Sequence, residues 1–302
     1  MKLVTFIYQN EERIGALTND QKFIYPIVQD GKEPMLAFIK SNGAARLSAI
    51  REAMERETEK WISGEEVQLL SPIPHPRDIL CIGFNYQDHA KEAAAGRGEV
   101  YKKNEEPIYF YKRNFEATGD GAPIPYAPGR AETIGRGVEV VAVIGKDALN
   151  VPVNRVGEYI FGYSIMNDVC DTLVNRRYGQ PMLGKSLDGY SPIGPSITTP
   201  DEFDGLGHIW RSTLTINDQL RADSTSDYMC FDIAYIVSQL STCMTLPAGT
   251  MIATGSPGES EVDGKYRPVP GDTITCWIEG LGSLTQPVTL EEENGFYSDK
   301  VM

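Results

Sequence analysis

The apolar positions of this chain fall into two regimes. In residues 1–70, "KLVTFIYQ" and "RIGALTN" read as two short strands about a turn at Gln9-Asn-Glu-Glu12. The stretch "EPMLAFIKSNGAARLSAIREAMERETEKW" reads as helical, interrupted at Asn42-Gly43. In its second half Leu47, Ile50 and Met54 recur at helical spacing. "SPIPHPRD" then punctuates the chain with prolines, as a linker would. Residues 1–70 are therefore expected to form a small N-terminal α/β domain, and residues 71–302 a second, catalytic one.

Past the linker, short strands alternate with Gly/Pro turns. "EVVAVIG", "TLTIND", "TMIATG" and "DTITCWIE" are rich in β-branched residues. One longer helix is expected over Phe231–Cys243, with an apolar stripe at 231, 233, 236, 237 and 240 that reads as core. Strands that outweigh helices suggest a rolled or barrel-like mixed β structure. There is no internal repeat, and no GxGxxG or P-loop opens a helix after a strand, so a nucleotide cofactor is not indicated.

Charge narrows the partners. The formal net charge is −14 and no Lys/Arg run is present, which argues against nucleic acid. An anionic substrate would need a few converging cations, for which Lys112, Arg113 and Lys185 are the candidates. The five cysteines (81, 170, 230, 243 and 276) are odd in number and lack a CxxC pair, as expected of reduced thiols in an intracellular protein. The N-terminal apolar run is too short for a signal peptide and no stretch approaches a membrane span. A cytoplasmic protein without membrane contact is the expectation.

Candidate chemistry begins where Ile79-Leu-Cys-Ile82, a predicted strand, runs into "GFNYQDHAKE". A helix is expected to open there, with Asn85 or Asp88 as N-cap. Its spacing puts His89 and Glu92 one turn apart on one face, so the carboxylate could orient the imidazole as a general base.

Further boxes follow in order. They are "PIYFYK" ending at Lys112, "VEVVAVIGK" around Glu139, "GYSIMND" ending at Asp168, and "GKSLDGYSPIGP" with Lys185 and Asp188. "DSTSDYMCF", "ATGSPGE" with Thr254, and "PGDTITCWIEGLGSL" complete the set. This succession resembles the fumarylacetoacetate hydrolase family, from about Pro72 to about Val288. The resemblance implies an α+β fold with a mixed β-sheet roll, a homodimer, and activity on β-keto and diketo acids.

It also implies a divalent cation, Mg²⁺ or Mn²⁺, held by a Glu-x-Glu pair on a strand and a later Asp. Alternation along a strand puts both Glu side chains on one face, and all-oxygen ligation suits these ions. Glu139 takes the second Glu position and Asp168 the Asp position, but Gly137 replaces the first Glu. Asp171 or Glu132 could supply the missing oxygen, or Arg136 could put a fixed cation in the metal's place. The family's Ser-Ala-Arg-Asp after the Asp box is here Cys170-Asp-Thr-Leu173.

Lys185 is expected to neutralise an oxyanion, with Asp188 positioning it. Tyr86, Lys112 and Thr254 are expected to line the substrate pocket, while His75 and His208 read as structural. Two reactions stay open: hydrolysis of a carbon–carbon bond in an acylpyruvate-type acid, or tautomerisation, decarboxylation or cyclisation of a β-keto substrate. A scaffold that has lost its chemistry is the reading outside enzymology.

Overall fold

The computed structural model describes residues 1–96, 98–258 and 266–291. Among the described residues it is an α+β structure built on one large sheet, one smaller sheet and a two-stranded ribbon of Ile134–Gly135 with Cys170–Asp171. The large sheet runs in the order Ile62–Ser63, Phe23–Ile27, Glu11–Leu17, Lys2–Tyr8, Ile193–Thr198, Ile160–Asn167, Val138–Ile144, Met251–Ala253, Ile79–Gly83 and Ile108–Lys112. Among the described residues of this sheet only the Met251–Ala253 and Ile79–Gly83 pairing is parallel. The smaller sheet orders Gln219–Thr225, Arg211–Ile216, Thr273–Ile278, Gly282–Leu290 and Ile124–Tyr126.

The first 70 residues do not stand apart from the rest. Strand Lys2–Tyr8 pairs antiparallel with Ile193–Thr198. Met35, Phe38 and Ile39 share a core with Val141, Val143 and Phe161. The helical stretch breaks at the expected place, into Pro34–Lys40 and Leu47–Arg56, with Asn42 in the left-handed region between them.

The centre of the molecule explains where the chemistry sits. Val138–Ile144 and Ile160–Asn167 are buried at every position, so they have core on both faces. Val140, Ala142 and Ile144 pack toward the smaller sheet, while Val141 and Val143 pack toward the N-terminal helices. Glu139 shares the Val141 face by alternation. The helix Ile233–Cys243, capped by Asp232, closes the first core with Ile236, Val237 and Leu240. Glu139 lies near the start of Val138–Ile144 and Asp168 just past the end of Ile160–Asn167.

Candidate active site

The strand Ile79–Gly83 turns into the helix Gln87–Gly96 through Phe84, which has a positive φ of 53°. A bulky residue there costs about 1–3 kcal/mol and needs outside support. Asn85 supplies it. Its buried amide donates to the carbonyls of Thr254 (2.7 Å) and Phe231 (3.0 Å) and accepts from the Phe231 N–H (3.0 Å). Asn85 is therefore not the helix cap but a staple joining three segments.

The segment Thr254–Gly258 lies against this helix. Gly255 has φ of +93°, and a Cβ there would meet Asn85 Cβ at 2.8 Å, so glycine is required on both counts. A Cβ at Gly258 would meet His89 N at 3.0 Å and Glu92 Oε2 at 3.2 Å. Along this segment His89 Nδ1 approaches the Ser256 carbonyl oxygen at 3.1 Å. A carbonyl can only accept, so Nδ1 carries the proton and the neutral ring offers Nε2 as a base. At Nδ1 the imidazole is thus oriented by main chain. Phe84 packs edge-on to the imidazole, ring centres 5.4 Å apart.

The charged cluster follows next door. Lys112, wholly buried, donates to Asp168 Oδ1 (2.8 Å) and to the carbonyls of Val169 (2.9 Å) and Tyr190 (2.6 Å). Lys185 donates to the other Asp168 oxygen and lies over the Phe110 ring, 5.0 Å from its centre. Burial alone would raise the Asp168 carboxyl, but the two ammonium groups overcome it and hold it well below the usual range. Burial would lower Lys185, and Asp168 outweighs it, keeping the ammonium charged.

Glu139 is treated the opposite way. Burial first, then the Asp168 charge, push it up to about 8, although Gly255 N–H donates to its Oε2 at 2.9 Å. Tyr86 is buried and its hydroxyl is likewise pushed up, by burial and then by Glu139. Burial also raises the thiols of Cys81 and Cys170 beside this cluster, which keeps them neutral.

Several expected roles change. The Thr254 hydroxyl bonds back to the Val140 carbonyl (3.0 Å) and is buried, so it does not face a substrate. Asp188 is exposed on a surface hollow with Arg77 and Arg113, and Asp168 is the residue that positions Lys185. Asp171 caps the helix Thr172–Tyr178 and grips Thr133 through both oxygens, so it supplies no ligand. Glu132 accepts from Gly129 N–H in an exposed turn. The charge of Arg136 is felt at the Cys276 thiol.

The expected cation site is affected most. A Cβ on Gly137 would meet Ser256 Oγ at 2.6 Å and Ser256 Cβ at 2.7 Å, so the space of the first carboxylate is filled. Both Asp168 oxygens are bonded to lysines. Among the described residues no three His, Cys, Asp or Glu side chains group to hold a metal. The described residues do not fit a three-carboxylate Mg²⁺ or Mn²⁺ centre.

The sequence did not single out Asn85 as a staple, nor Ser256 at all, although both lie in its quoted boxes. Their roles rest on contacts across 146–169 residues, which local spacing does not carry.

The family model of the fumarylacetoacetate (FAA) hydrolase C-terminal domain matches residues 78–289. The chain is 33% identical over 305 residues to a fumarylacetoacetate hydrolase domain-containing protein 2 homolog of Dictyostelium discoideum, covering 95% of this chain and 97% of that one. Its structure is similar to a 5-carboxymethyl-2-hydroxymuconate delta-isomerase of Mycobacterium smegmatis, with TM-score 0.75, 26% identity, and 96% and 100% of the two chains covered. It is also similar to maleylpyruvate hydrolase of Sphingobium sp. SYK-6 in complex with manganese(II) and pyruvate, with TM-score 0.73, 25% identity, and 97% and 100% covered. With the fold, the ordered boxes and a model match over most of its length, this chain belongs to the fumarylacetoacetate hydrolase family and is an enzyme of it.

Proposed function

We propose that this enzyme hydrolyses a carbon–carbon bond in a β-diketo or acylpyruvate-type acid, with His89 as general base. The observation that carries the reading is the Nδ1–Ser256 hydrogen bond, which leaves Nε2 as the ring's acceptor. Ser256 abuts Gly137, whose carbonyl accepts from Asp168 N–H (2.8 Å), and Asp168 holds Lys185. Base and cation thus belong to one continuous arrangement.

In this proposal Nε2 takes a proton from water, and the oxygen adds to the acyl carbonyl. The bond from that carbon to the neighbouring CH₂ then breaks, and its electron pair passes to the enolate of the departing 2-oxo acid. Lys185 stabilises the negative oxygen, as a fixed charge in a dry site can. The proton on His89 returns to the CH₂ carbon, giving a carboxylic acid and a pyruvate-type acid. Phe84 also lines a hollow of about 390 Å³ with Val100, Tyr101, Ile108 and Phe231, which supports an apolar acyl substituent.

The alternative keeps the enolate and omits water, as in a tautomerase, decarboxylase or cyclase; the likeness to a structure named as an isomerase favours it. Turnover in ¹⁸O-water separates the two, because only hydrolysis puts label in the released carboxylate. His89→Ala should cut turnover by at least about 10²-fold with little change in thermal midpoint. Full activity in that variant would remove both mechanisms. A cytoplasmic homodimer is part of the same proposal.

A further inference from the structure

We infer that Ser256 is the positioning residue of the catalytic imidazole, and that position 137 is glycine because Ser256 needs its space. This rests on the His89 general-base reading above. Three contacts carry it. The Ser256 carbonyl is the partner of His89 Nδ1, at 3.1 Å. The Ser256 side chain occupies the place of a residue-137 side chain, with Oγ and Cβ at 2.6 and 2.7 Å from where a Cβ would stand. On one side the segment is pinned by Asn85 on the Thr254 carbonyl, and on the other it passes so close to the helix that a Cβ at Gly258 would meet His89 N at 3.0 Å.

Backbone conformation does not explain Gly137, which is absent from the residues with positive φ. An alanine could adopt the same backbone, and its Cβ would lie at an ordinary 3.9 Å from Asp168 Cβ. The conflict is with Ser256 alone. Because 2.6–2.7 Å is far inside van der Waals contact, Ser256 would have to retreat, and its carbonyl would move with it. The sequence position that departs from the Glu-x-Glu pattern is therefore coupled to the seating of the base. A carboxylate at 137 and the present His89 clamp are mutually exclusive with Ser256 in place.

The test is a rescue. With acetylpyruvate as substrate, Gly137→Ala should lower kcat about 10²-fold, the loss typical of a misplacement near 1 Å, while KM changes less than about threefold. In ¹⁵N-histidine spectra, the His89 signal, identified among three histidines by its loss in His89→Gln, should report protonated Nδ1 in the parent and a mixture of tautomers in Gly137→Ala. Gly137→Ala/Ser256→Gly removes the opposing atoms and should restore both the tautomer and most of kcat. Full kcat and an unchanged tautomer in Gly137→Ala would overturn the inference. So would a double variant no better than the single one, since groups that share a space must be non-additive. If Gly137→Ala alone does not fold, the double variant decides: folded with the parent tautomer it supports the inference, and otherwise it defeats it. If the parent turns over no acylpyruvate, the hydrolase reading fails while the tautomer comparison still stands or falls by itself.

Discussion

Replacing Lys112 by methionine separates the scaffold of this site from its chemistry. The Lys112 ammonium has no exposure and spends all three donors, on Asp168 and on the Val169 and Tyr190 carbonyls. Methionine fills most of the stem's volume but leaves Asp168 with one cation and two carbonyls without this donor. Breaking one side of a buried ion pair costs about 3–5 kcal/mol, and each stranded polar group adds to the upper end of that range. Against a total of about 5–15 kcal/mol, this is a large share. The thermal midpoint should fall by on the order of 10 °C. Urea unfolding followed by tryptophan fluorescence measures the loss directly. The double variant Lys112→Met/Asp168→Asn should be destabilised by less than the sum of the two single variants, because both singles remove the same Lys112–Asp168 hydrogen bond. A loss below about 1 kcal/mol in Lys112→Met, or strict additivity in the pair, would refute the reasoning.

The other lysine should behave differently. Lys185 is partly exposed and Asp168 keeps Lys112 without it, so Lys185→Met should lower turnover about 10²–10³-fold with a much smaller stability loss. An unfolding midpoint as low as that of Lys112→Met would contradict this division. For Glu139, the folded carboxyl keeps its proton up to about 8 while its ordinary value is 4.5, so the folded chain holds more protons between those limits. Stability from this group is then present at low pH and lost as pH rises through that window, by at most about 1.4 kcal/mol per unit. Glu139→Gln should flatten the fall between pH 5.5 and 8, and equal slopes in parent and variant would count against it. Since Ser256 fills the space beside Gly137 and both Asp168 oxygens are taken, EDTA should leave turnover unchanged, and calorimetry should show at most weak Mg²⁺ or Mn²⁺ binding. Strong EDTA inhibition would show that a cation displaces a lysine or gains a ligand elsewhere. Light scattering at micromolar concentration should give about twice the monomer mass of 33.4 kDa, and a monomer throughout would defeat the dimer.

Much of the fold could be read from local pattern because its signals are local. The β-branched run at Val138–Ile144, the stripe of the helix Ile233–Cys243 and the break at Asn42-Gly43 each reflect short-range preference. The joining of Lys2–Tyr8 to Ile193–Thr198 was not legible, since nothing in a strand's own sequence names a partner some 190 residues away. The same limit applied in the site. Residue types pointed to His89, Glu139, Asp168 and Lys185, and the structure brings their neighbourhoods together. A partner was misread where sequence proximity stood in for contact: Asp188 for Lys185, whose carboxylate is Asp168. Thr254 and Asp171 offered oxygens in the right boxes, but the main chain nearby had already claimed them.

The charge arrangement gives the departure at Gly137 its meaning. Lys112 and Lys185 are cationic, Asp168 is an anion, and Glu139, with its value near 8, is mostly protonated at neutral pH. The cluster therefore carries about one net positive charge inside a chain whose formal charge is −14. A second strand carboxylate at position 137 would cancel that charge unless a divalent cation entered with it. Without that carboxylate, the surplus positive charge can attract an anionic acid, and Lys185 can hold its enolate. Raising the local negative charge should therefore weaken substrate binding first. Lys185→Gln should raise KM as well as lower kcat, whereas displacing His89 through Gly137→Ala should leave KM nearly unchanged. If both variants moved KM alike, anion capture and proton transfer would not be divided between these two sides of the site.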